Sequence, residues 1–226
     1  MAAAATPVTK HPHHYDLRGL YAITDEPATQ TNALTNAVEA ALRGGARIVQ
    51  YRDKSNDRER RLAEASALRT LTRRHDVPLL INDDVELAAA IGADGVHLGR
   101  DDAAIGQARA CLPAGSLVGV SCYNSFDLAR QAAAAGADYI AFGSFFPSPT
   151  KPAAVRATPD LLARTRSELG LPVVAIGGIS PENGAALVSA GADMLAVISA
   201  LFAAPDVRAA ARAFSDCFTP SKENSR

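Results

Sequence analysis

Hydrophobic residues along this chain fall into eight short runs, and each run ends at a polar residue or a glycine. Continuous apolar runs of this length are typical of strands that are buried on both faces, as in a parallel sheet. Because parallel strands present reactive groups at their carboxyl ends, the polar residues that follow the runs form the candidate site. The runs are Leu20–Ile23, Ile48–Val49, Leu79–Ile81, Val96–Leu98, Leu117–Val120, Tyr139–Phe142, Val173–Ile176 and Leu195–Ile198.

Amphipathic segments lie between these runs, with apolar residues at helical spacing. Thr158 and Ser180 each precede a proline, which is the arrangement of a capping hydroxyl followed by proline at the first helical position. The pattern predicts helices over Thr31–Arg43, Asp57–His75, Pro159–Leu169, Pro181–Ala190 and Asp206–Phe218.

A glycine motif recurs before every second run and predicts a four-fold repeat of strand–helix pairs. Glycine commonly ends a helix, so we assign the motif to turns at the amino-terminal ends of the strands, away from the chemistry. Eight strand–helix units in 226 residues favour a single-domain (β/α)8 TIM barrel over an open sheet. The motif stands at Gly44-Gly45-Ala46, Gly92-Ala93-Asp94, Gly136-Ala137-Asp138 and Gly191-Ala192-Asp193.

We expect the barrel to occupy residues 17–218, between a flexible polar tail over residues 1–16 and a second tail over residues 219–226. The histidines of the first tail, His11, His13 and His14, are interpreted as part of a disordered segment and not as metal ligands. This tail lacks the basic start and long apolar segment of a secretory signal.

Composition and charge exclude several classes of protein. A net charge of −1 does not favour binding to nucleic acid or to an anionic membrane. The three cysteines are an odd number without CxxC spacing, which argues against a disulfide framework and indicates a reducing compartment. No apolar stretch approaches the roughly 20 residues of a membrane helix. We therefore expect a cytoplasmic protein with small-molecule partners, and a homo-oligomer stays open.

The second run is followed by three polar residues at every second position: the amide Gln50 and the cations Arg52 and Lys54. In an extended segment, side chains at every second position lie on the same side. Such a face suits a polyanion, although a single exposed cation is usually only a solvated strand end. The third run ends in Asn82-Asp83-Asp84, and Asp102 follows the fourth. In a barrel Asp83 and Asp102 meet at one rim, where two carboxylates beside a polyanion suit Mg²⁺.

The neighbouring acids Asp84 and Asp101 stand where helix caps belong, and we assign them mainly to capping. After the sixth run, Phe146–Lys151 is a stiff loop with two hydroxyls and a lysine. Gly177-Gly178 and Ser199 end the last two runs, where many barrels bind a phosphate through backbone N–H groups, although a tight turn explains the glycines equally well. The candidate site thus has one part that suits a diphosphate and another that suits a monophosphate. Two phosphorylated substrates at one site indicate a transferase that expels pyrophosphate.

At these residues the sequence resembles the thiamine-phosphate synthase (thiamine-phosphate pyrophosphorylase) family, from about Gly19 to Phe214. Several independent motifs in the right order make the resemblance specific. They are Gln50–Lys54, Asn82–Ala88, Gly95–Gly99, Gly119-Val120-Ser121, Phe146–Lys151 and Ala175–Ile179.

The resemblance implies the joining of a hydroxymethylpyrimidine diphosphate to a thiazole phosphate, with loss of pyrophosphate and help from Mg²⁺. It implies Asp83 and Asp102 as metal ligands and Arg52, Lys54, Ser121 and Lys151 as the catalytic groups. The diphosphate would lie on Gln50, Arg52, Lys54, Asn82 and Lys151, the pyrimidine on Ser121, and the thiazole phosphate on Ser148, Thr150, Gly178, Ile198 and Ser199. The same motifs add Tyr51, Asp53 and Pro149 to the candidate substrate-binding set.

Such a dissociative reaction needs no covalent nucleophile, so we interpret Cys122 as a small buried thiol and His97 as a packed or hydrogen-bonded histidine. The chain departs from the family pattern at Arg100, at Ser148 and after Lys151. Two alternatives remain: an isomerase barrel similar to the thiazole tautomerases, and a non-catalytic barrel that binds a phosphate ligand. The retained Asn82, Asp83, Asp102 and Lys151 favour the transferase over the first, and the cost of unpaired charges argues against the second.

Overall fold

Eight parallel strands close into a barrel in chain order, and helices follow the strands on the outside. The computed structural model describes residues 15–24, 31–99, 105–147 and 155–219. Each predicted apolar run lies in a strand, except that Ile198 follows the end of the last strand, so the predicted single-domain (β/α)8 barrel is confirmed. The strands are β1 (Gly19–Ile23), β2 (Ala46–Tyr51), β3 (Leu79–Asn82), β4 (Gly95–Leu98), β5 (Leu117–Tyr123), β6 (Tyr139–Gly143), β7 (Val173–Ile176) and β8 (Met194–Val197).

The five predicted helices are confirmed, with ends that differ by at most two residues from the predicted ones. Asp57 and Asp206 lie just outside their helices, because their side chains cap the amides of Arg60 and Ala209. Four more described helices were not predicted, and three of them have seven residues or fewer, which is too short for a clear periodic pattern. The described helices are α1 (Thr31–Arg43), α2 (Arg58–Arg73), α3 (Val85–Ile91), α4 (Ile105–Cys111), α5 (Phe126–Ala134), α6 (Asp160–Leu169), α7 (Pro181–Ser189), α8 (Ser199–Phe202) and α9 (Val207–Asp216).

Alternation along the strands divides the core into two layers. One layer fills the inside of the barrel, with Tyr21, Ile48, Leu80, Leu117 and Tyr139 among its members. The other layer lies between the strands and the helices. The continuous apolar runs are explained by this burial on both faces. No helix in the described ranges is long and apolar enough to cross a membrane.

The end of the barrel at which the strands begin, called the floor below, is closed by the repeated motif. Gly92 ends α3 in the left-handed conformation (φ 60°), as the motif predicts. In the three motifs that end in aspartate, the carboxylate has a role that the sequence does not suggest. It accepts a hydrogen bond from the first or second amide of a neighbouring strand and pairs with an arginine. The sets are Asp94 with Leu79 and Arg69, Asp138 with Val118 and Arg109, and Asp193 with Val173 and Arg166.

Candidate active site

The opposite end of the barrel, called the mouth, begins with the end of β2, which Thr24 holds in place. The Thr24 amide donates to the Gln50 carbonyl (2.9 Å), and the Thr24 hydroxyl accepts from the Arg52 amide (2.9 Å). Thr24 is buried, so both hydrogen bonds are shielded from water. Sequence reasoning gave no role to Thr24, although a hydroxyl directly after an apolar run was the available signal.

Tyr51 and Asp53 contact α2 and lie on the other side of the β2 end from Gln50. The Tyr51 hydroxyl donates to Glu64 (2.8 Å), and the Asp53 carboxylate accepts from Arg60 (2.6 Å) and from the Ser55 amide (2.7 Å). Burial opposes ionisation of Asp53, but the Ser55 bonds and the Arg60 guanidinium lower its pKa. These side chains therefore anchor the segment that carries the cations, and a direct substrate contact by either stays a prediction.

Asp83 is the centre of the first half of the mouth. Its carboxylate accepts from the Asn82 amide group (2.5 Å) and lies 3.3 Å from the Lys54 ammonium. Its backbone has a positive φ of 63°, which is uncommon outside glycine, and its amide donates to the His97 carbonyl (2.9 Å). The structure thus brings together three residues that the sequence placed on two different strand ends: a cation, an amide and a carboxylate.

The donors at Asp83 suit a hard divalent cation. The Asp83 side chain is one-quarter exposed, so its oxygens are reachable from the mouth. Mg²⁺ usually takes one or two carboxylates and fills its other positions with water and substrate phosphate. Among the described residues, no three His, Cys, Asp or Glu side chains cluster as a metal-ligand set. The second predicted ligand, Asp102, lies outside the described residues.

Asp84, next to Asp83, has the structural role that its position predicts. Its side chain accepts from the Leu87 amide (2.8 Å) at the start of α3 and from Arg61 (2.7 Å). The prediction that Asp84 is a helix cap is therefore confirmed.

A chain of hydrogen bonds crosses the barrel interior beneath the mouth and ends at two candidate residues. Gln50 donates to the Tyr21 hydroxyl (2.6 Å), which lies 2.8 Å from the Tyr139 hydroxyl. His97 contacts Tyr139 through Nδ1 (2.8 Å) and Ser121 through Nε2 (2.9 Å). The prediction of a hydrogen-bonded His97 is confirmed. The two tyrosines escaped sequence reasoning, because only the strand register shows that they meet.

Burial controls the protonation of the groups in this part of the barrel. It raises the pKa of both Tyr21 and Tyr139 well above the usual value, so both stay protonated near neutral pH. It also raises the pKa of Cys122 to about 12, and that thiol is fully buried. Cys122 is thus the small buried thiol that was predicted, and it is poorly suited to nucleophilic chemistry.

The second half of the mouth is a cavity of about 410 Å³ at the ends of β7 and β8. Gly177, Gly178, Ile198 and Ser199 contribute to its lining, together with Pro147 from the loop after β6. Gly178 has a φ of 63°, and a Cβ there would collide with the Pro147 carbonyl. Both the backbone conformation and the close loop therefore require glycine at position 178.

Several predicted site residues lie outside the described residues, in the segments 100–104 and 148–154 of the chain. They are Asp102 after β4, and Ser148, Pro149, Thr150 and Lys151 after β6, together with Arg100 and Asp101.

The sequence model of the thiamine monophosphate synthase family matches residues 20–201, which include all eight strands from Leu20 onwards. The chain belongs to this family. Family membership makes it a transferase enzyme of thiamine biosynthesis, as the sequence motifs indicated.

Individual members of the thiamine monophosphate synthase family match over nearly the whole chain. The thiamine-phosphate synthase of Thiobacillus denitrificans is 59% identical over 205 residues, which are 91% of this chain and 97% of that protein. That of Thioalkalivibrio sulfidiphilus is 52% identical over 202 residues, 89% of this chain and 96% of the relative. The solved thiamine phosphate pyrophosphorylase of Pyrococcus furiosus superposes with a TM-score of 0.79 at 35% identity, covering 90% of this chain and 96% of the other.

Proposed function

We propose that this enzyme joins 4-amino-2-methyl-5-hydroxymethylpyrimidine diphosphate to 4-methyl-5-(2-phosphooxyethyl)thiazole, and that it forms thiamine phosphate and pyrophosphate. The proposal is supported by a charged group and a separate cavity that lie at one barrel mouth. Lys54 and Asp83 form the charged group on one side, and the cavity of about 410 Å³, which Gly177 and Gly178 help to line, lies on the other. Two phosphorylated substrates would meet between them.

The reaction proposed for this mouth is dissociative. The bond between the pyrimidine methylene carbon and the diphosphate oxygen breaks first, and its electron pair leaves with pyrophosphate. The aminopyrimidine ring stabilises the resulting cation, and the thiazole nitrogen then supplies the electron pair of the new carbon–nitrogen bond. The protein must therefore stabilise negative charge on the departing diphosphate, and fixed cations do this best in a preorganised site.

The charged residues of the first half are assigned to the diphosphate. Arg52, Lys54 and Lys151 would hold its oxygens, with the amides of Gln50 and Asn82 as further donors. Asp83 and Asp102 would hold Mg²⁺, which would neutralise part of the diphosphate charge. Ser121 would contact the pyrimidine ring. The described part of this set is supported by the 3.3 Å approach of Lys54 to Asp83 and by the Asn82 contact at 2.5 Å.

The second half is assigned to the thiazole phosphate. Gly178, Ile198 and Ser199 would offer backbone N–H groups, and Ser148 and Thr150 would add hydroxyls. Asn183 supports this surface from below, since its side chain donates to the Gly178 carbonyl (3.1 Å) and accepts from the Ser180 amide (2.9 Å). The turn that carries the glycines is thus held in one conformation before any ligand arrives.

The proposal is tested by mixing the purified protein with both phosphorylated substrates and Mg²⁺ and following pyrophosphate and thiamine phosphate together. Equal amounts of the two products are expected, and omission of either substrate or addition of a chelator should stop both. Pyrophosphate without thiamine phosphate would indicate a hydrolase. Absence of both products, from protein shown to be folded by circular dichroism, would contradict the proposal and favour a binding barrel.

Replacement of Gly178 by alanine is expected to weaken binding of the thiazole phosphate. The new Cβ meets the Pro147 carbonyl, and the positive φ adds roughly 1 to 2 kcal/mol of strain for a side chain. A rise of about tenfold or more in KM for the thiazole phosphate follows, while KM for the pyrimidine diphosphate should hardly change. Steady-state kinetics with each substrate varied in turn measure the difference.

Gly92→Ala is the matched control for this variant. Gly92 has nearly the same φ, 60°, but a Cβ there meets no atom within 4 Å, and the residue lies at the floor. It should lose stability without a change in either KM. Equal KM values for Gly178→Ala and the parent protein would remove Gly178 from the phosphate surface.

A further inference from the structure

We propose that Gln50, Tyr21, Tyr139, His97 and Ser121 form a one-directional hydrogen-bond relay that presents the Ser121 hydroxyl to the substrate as a donor. Tyr21, Tyr139 and His97 are then positioning residues, because they link Gln50 to Ser121 and act on the substrate only through Ser121. The assignment of their target as the pyrimidine rests on the proposed function. The relay itself rests only on contacts inside the barrel.

The direction of the relay follows from counting protons. The Gln50 amide nitrogen only donates, so the Tyr21 oxygen accepts at 2.6 Å. The Tyr21 hydroxyl is buried and its proton needs an acceptor, so we assign that proton to the 2.8 Å contact with the Tyr139 oxygen. Tyr139 has then accepted one bond and gives its own proton to His97 Nδ1 at 2.8 Å. Burial keeps both tyrosines protonated, so neither hydroxyl lacks its proton.

The tautomer of His97 is the consequence. With Nδ1 accepting from Tyr139, the imidazole proton lies on Nε2, which faces Ser121 Oγ at 2.9 Å. The Ser121 oxygen therefore accepts, and its proton turns away from the imidazole. Ser121 is partly exposed at the end of β5, so this proton is available to a hydrogen-bond acceptor in the mouth. An aromatic ring nitrogen is an acceptor of that kind.

Turning the Gln50 amide over would reverse the direction of every hydrogen bond in the relay. If the Gln50 amide oxygen faced Tyr21, each proton would move to the other side of its hydrogen bond, and Ser121 would become an acceptor toward the substrate. The orientation of one amide at β2 thus sets the hydrogen-bonding character of a hydroxyl at β5. In the structure it is the nitrogen that faces Tyr21.

Gly119 leaves the space that the relay residue Tyr139 occupies. In the register of the sheet His97 lies beside Gly119, and Gly119 lies beside Tyr139. A Cβ at position 119 would overlap the ring and hydroxyl of Tyr139. No positive φ explains the glycine, so its function here is to leave space for the tyrosine. The Gly119-Val120-Ser121 motif therefore combines the space for the relay with its last member.

The first test reads the His97 tautomer by nitrogen-15 NMR of the unliganded, histidine-labelled protein, with the signal assigned by its loss in His97→Asn. A proton on Nε2 and none on Nδ1 is expected. In Tyr139→Phe, which keeps the ring and removes the hydroxyl that donates to Nδ1, the Nδ1 signal should shift to that of a nitrogen that accepts no hydrogen bond. A proton on Nδ1 in the parent protein, or an unchanged Nδ1 signal in the folded Tyr139→Phe protein, would overturn the relay.

The second test is kinetic and separates the relay from the proposed function. Tyr139→Phe should lower kcat/KM for the pyrimidine diphosphate by about tenfold and leave KM for the thiazole phosphate unchanged. Tyr15→Phe is the matched control, since it removes a tyrosine hydroxyl that contacts Asp94 at 3.0 Å at the floor, and it should change neither value. An Nε2 proton in a protein that releases no pyrophosphate would support the relay and contradict the proposed function.

Discussion

Asp83→Asn is expected to abolish most Mg²⁺-dependent turnover while the barrel stays folded. A neutral amide is a weak ligand for a hard divalent cation, and the change also removes the negative charge 3.3 Å from Lys54. A fall of about 10²-fold or more in kcat/KM follows from losing one preorganised electrostatic contact in the site. Asparagine also tolerates a φ of 63° better than most residues, so the variant isolates the charge from the strain.

The measurement is pyrophosphate release as a function of Mg²⁺ concentration, and Asp84→Asn is the control. Asparagine is as good a helix cap as aspartate, so Asp84→Asn removes one negative charge from the next residue and keeps α3 capped. Its Mg²⁺ dependence should match that of the parent protein. If Asp83→Asn retains both its turnover and its Mg²⁺ dependence, the metal does not lie at Asp83.

Asp138→Ala is expected to lower the free energy of unfolding by about 3 kcal/mol, the largest stability effect predicted for this chain. The Asp138 side chain is 1% exposed, and its carboxylate accepts from the Val118 amide and from Arg109, both at 2.6 Å. Alanine leaves the buried amide and the guanidinium without this acceptor. Urea unfolding followed by circular dichroism measures the loss.

Asp193→Ala is the graded comparison for this variant. Asp193 has the same two kinds of partner at the next motif, but its side chain is 14% exposed and its arginine, Arg166, is 57% exposed. Water replaces part of the lost interaction there, so a loss of about 1 kcal/mol is expected. Equal losses in the two variants would show that burial does not set the strength of these pairs.

The fold was readable from the sequence because its signal is local. Each strand is a continuous apolar run such as Val173–Ile176, since helices cover one face and the barrel interior covers the other. Helix ends were predicted to within two residues where a capping residue such as Asp57 marks them. Short helices such as α3 (Val85–Ile91) carry too few turns for a periodic pattern, which is why only their caps were visible.

The site was readable only where its chemistry follows directly after a strand. Lys54, Asn82 and Asp83 are such residues, and the structure brings them together. The relay was not readable, because Tyr21 and Tyr139 are 118 positions apart and meet only through the register of the closed barrel. In a sequence, a tyrosine inside an apolar run looks the same whether its hydroxyl is partnered or not.

The carboxylates at the floor, Asp94, Asp138 and Asp193, also affect where local opening of the barrel is expected. Strand ends are ordinarily where local opening begins, because their first amides have few protected hydrogen bonds. Here the first amides of β3 and β7 donate to Asp94 and Asp193, and the second amide of β5 donates to Asp138, so opening the floor also means separating an ion pair. Fluctuations that admit substrates and release products are therefore expected at the mouth alone. We expect the amides at the floor to exchange with solvent more slowly than those at the mouth.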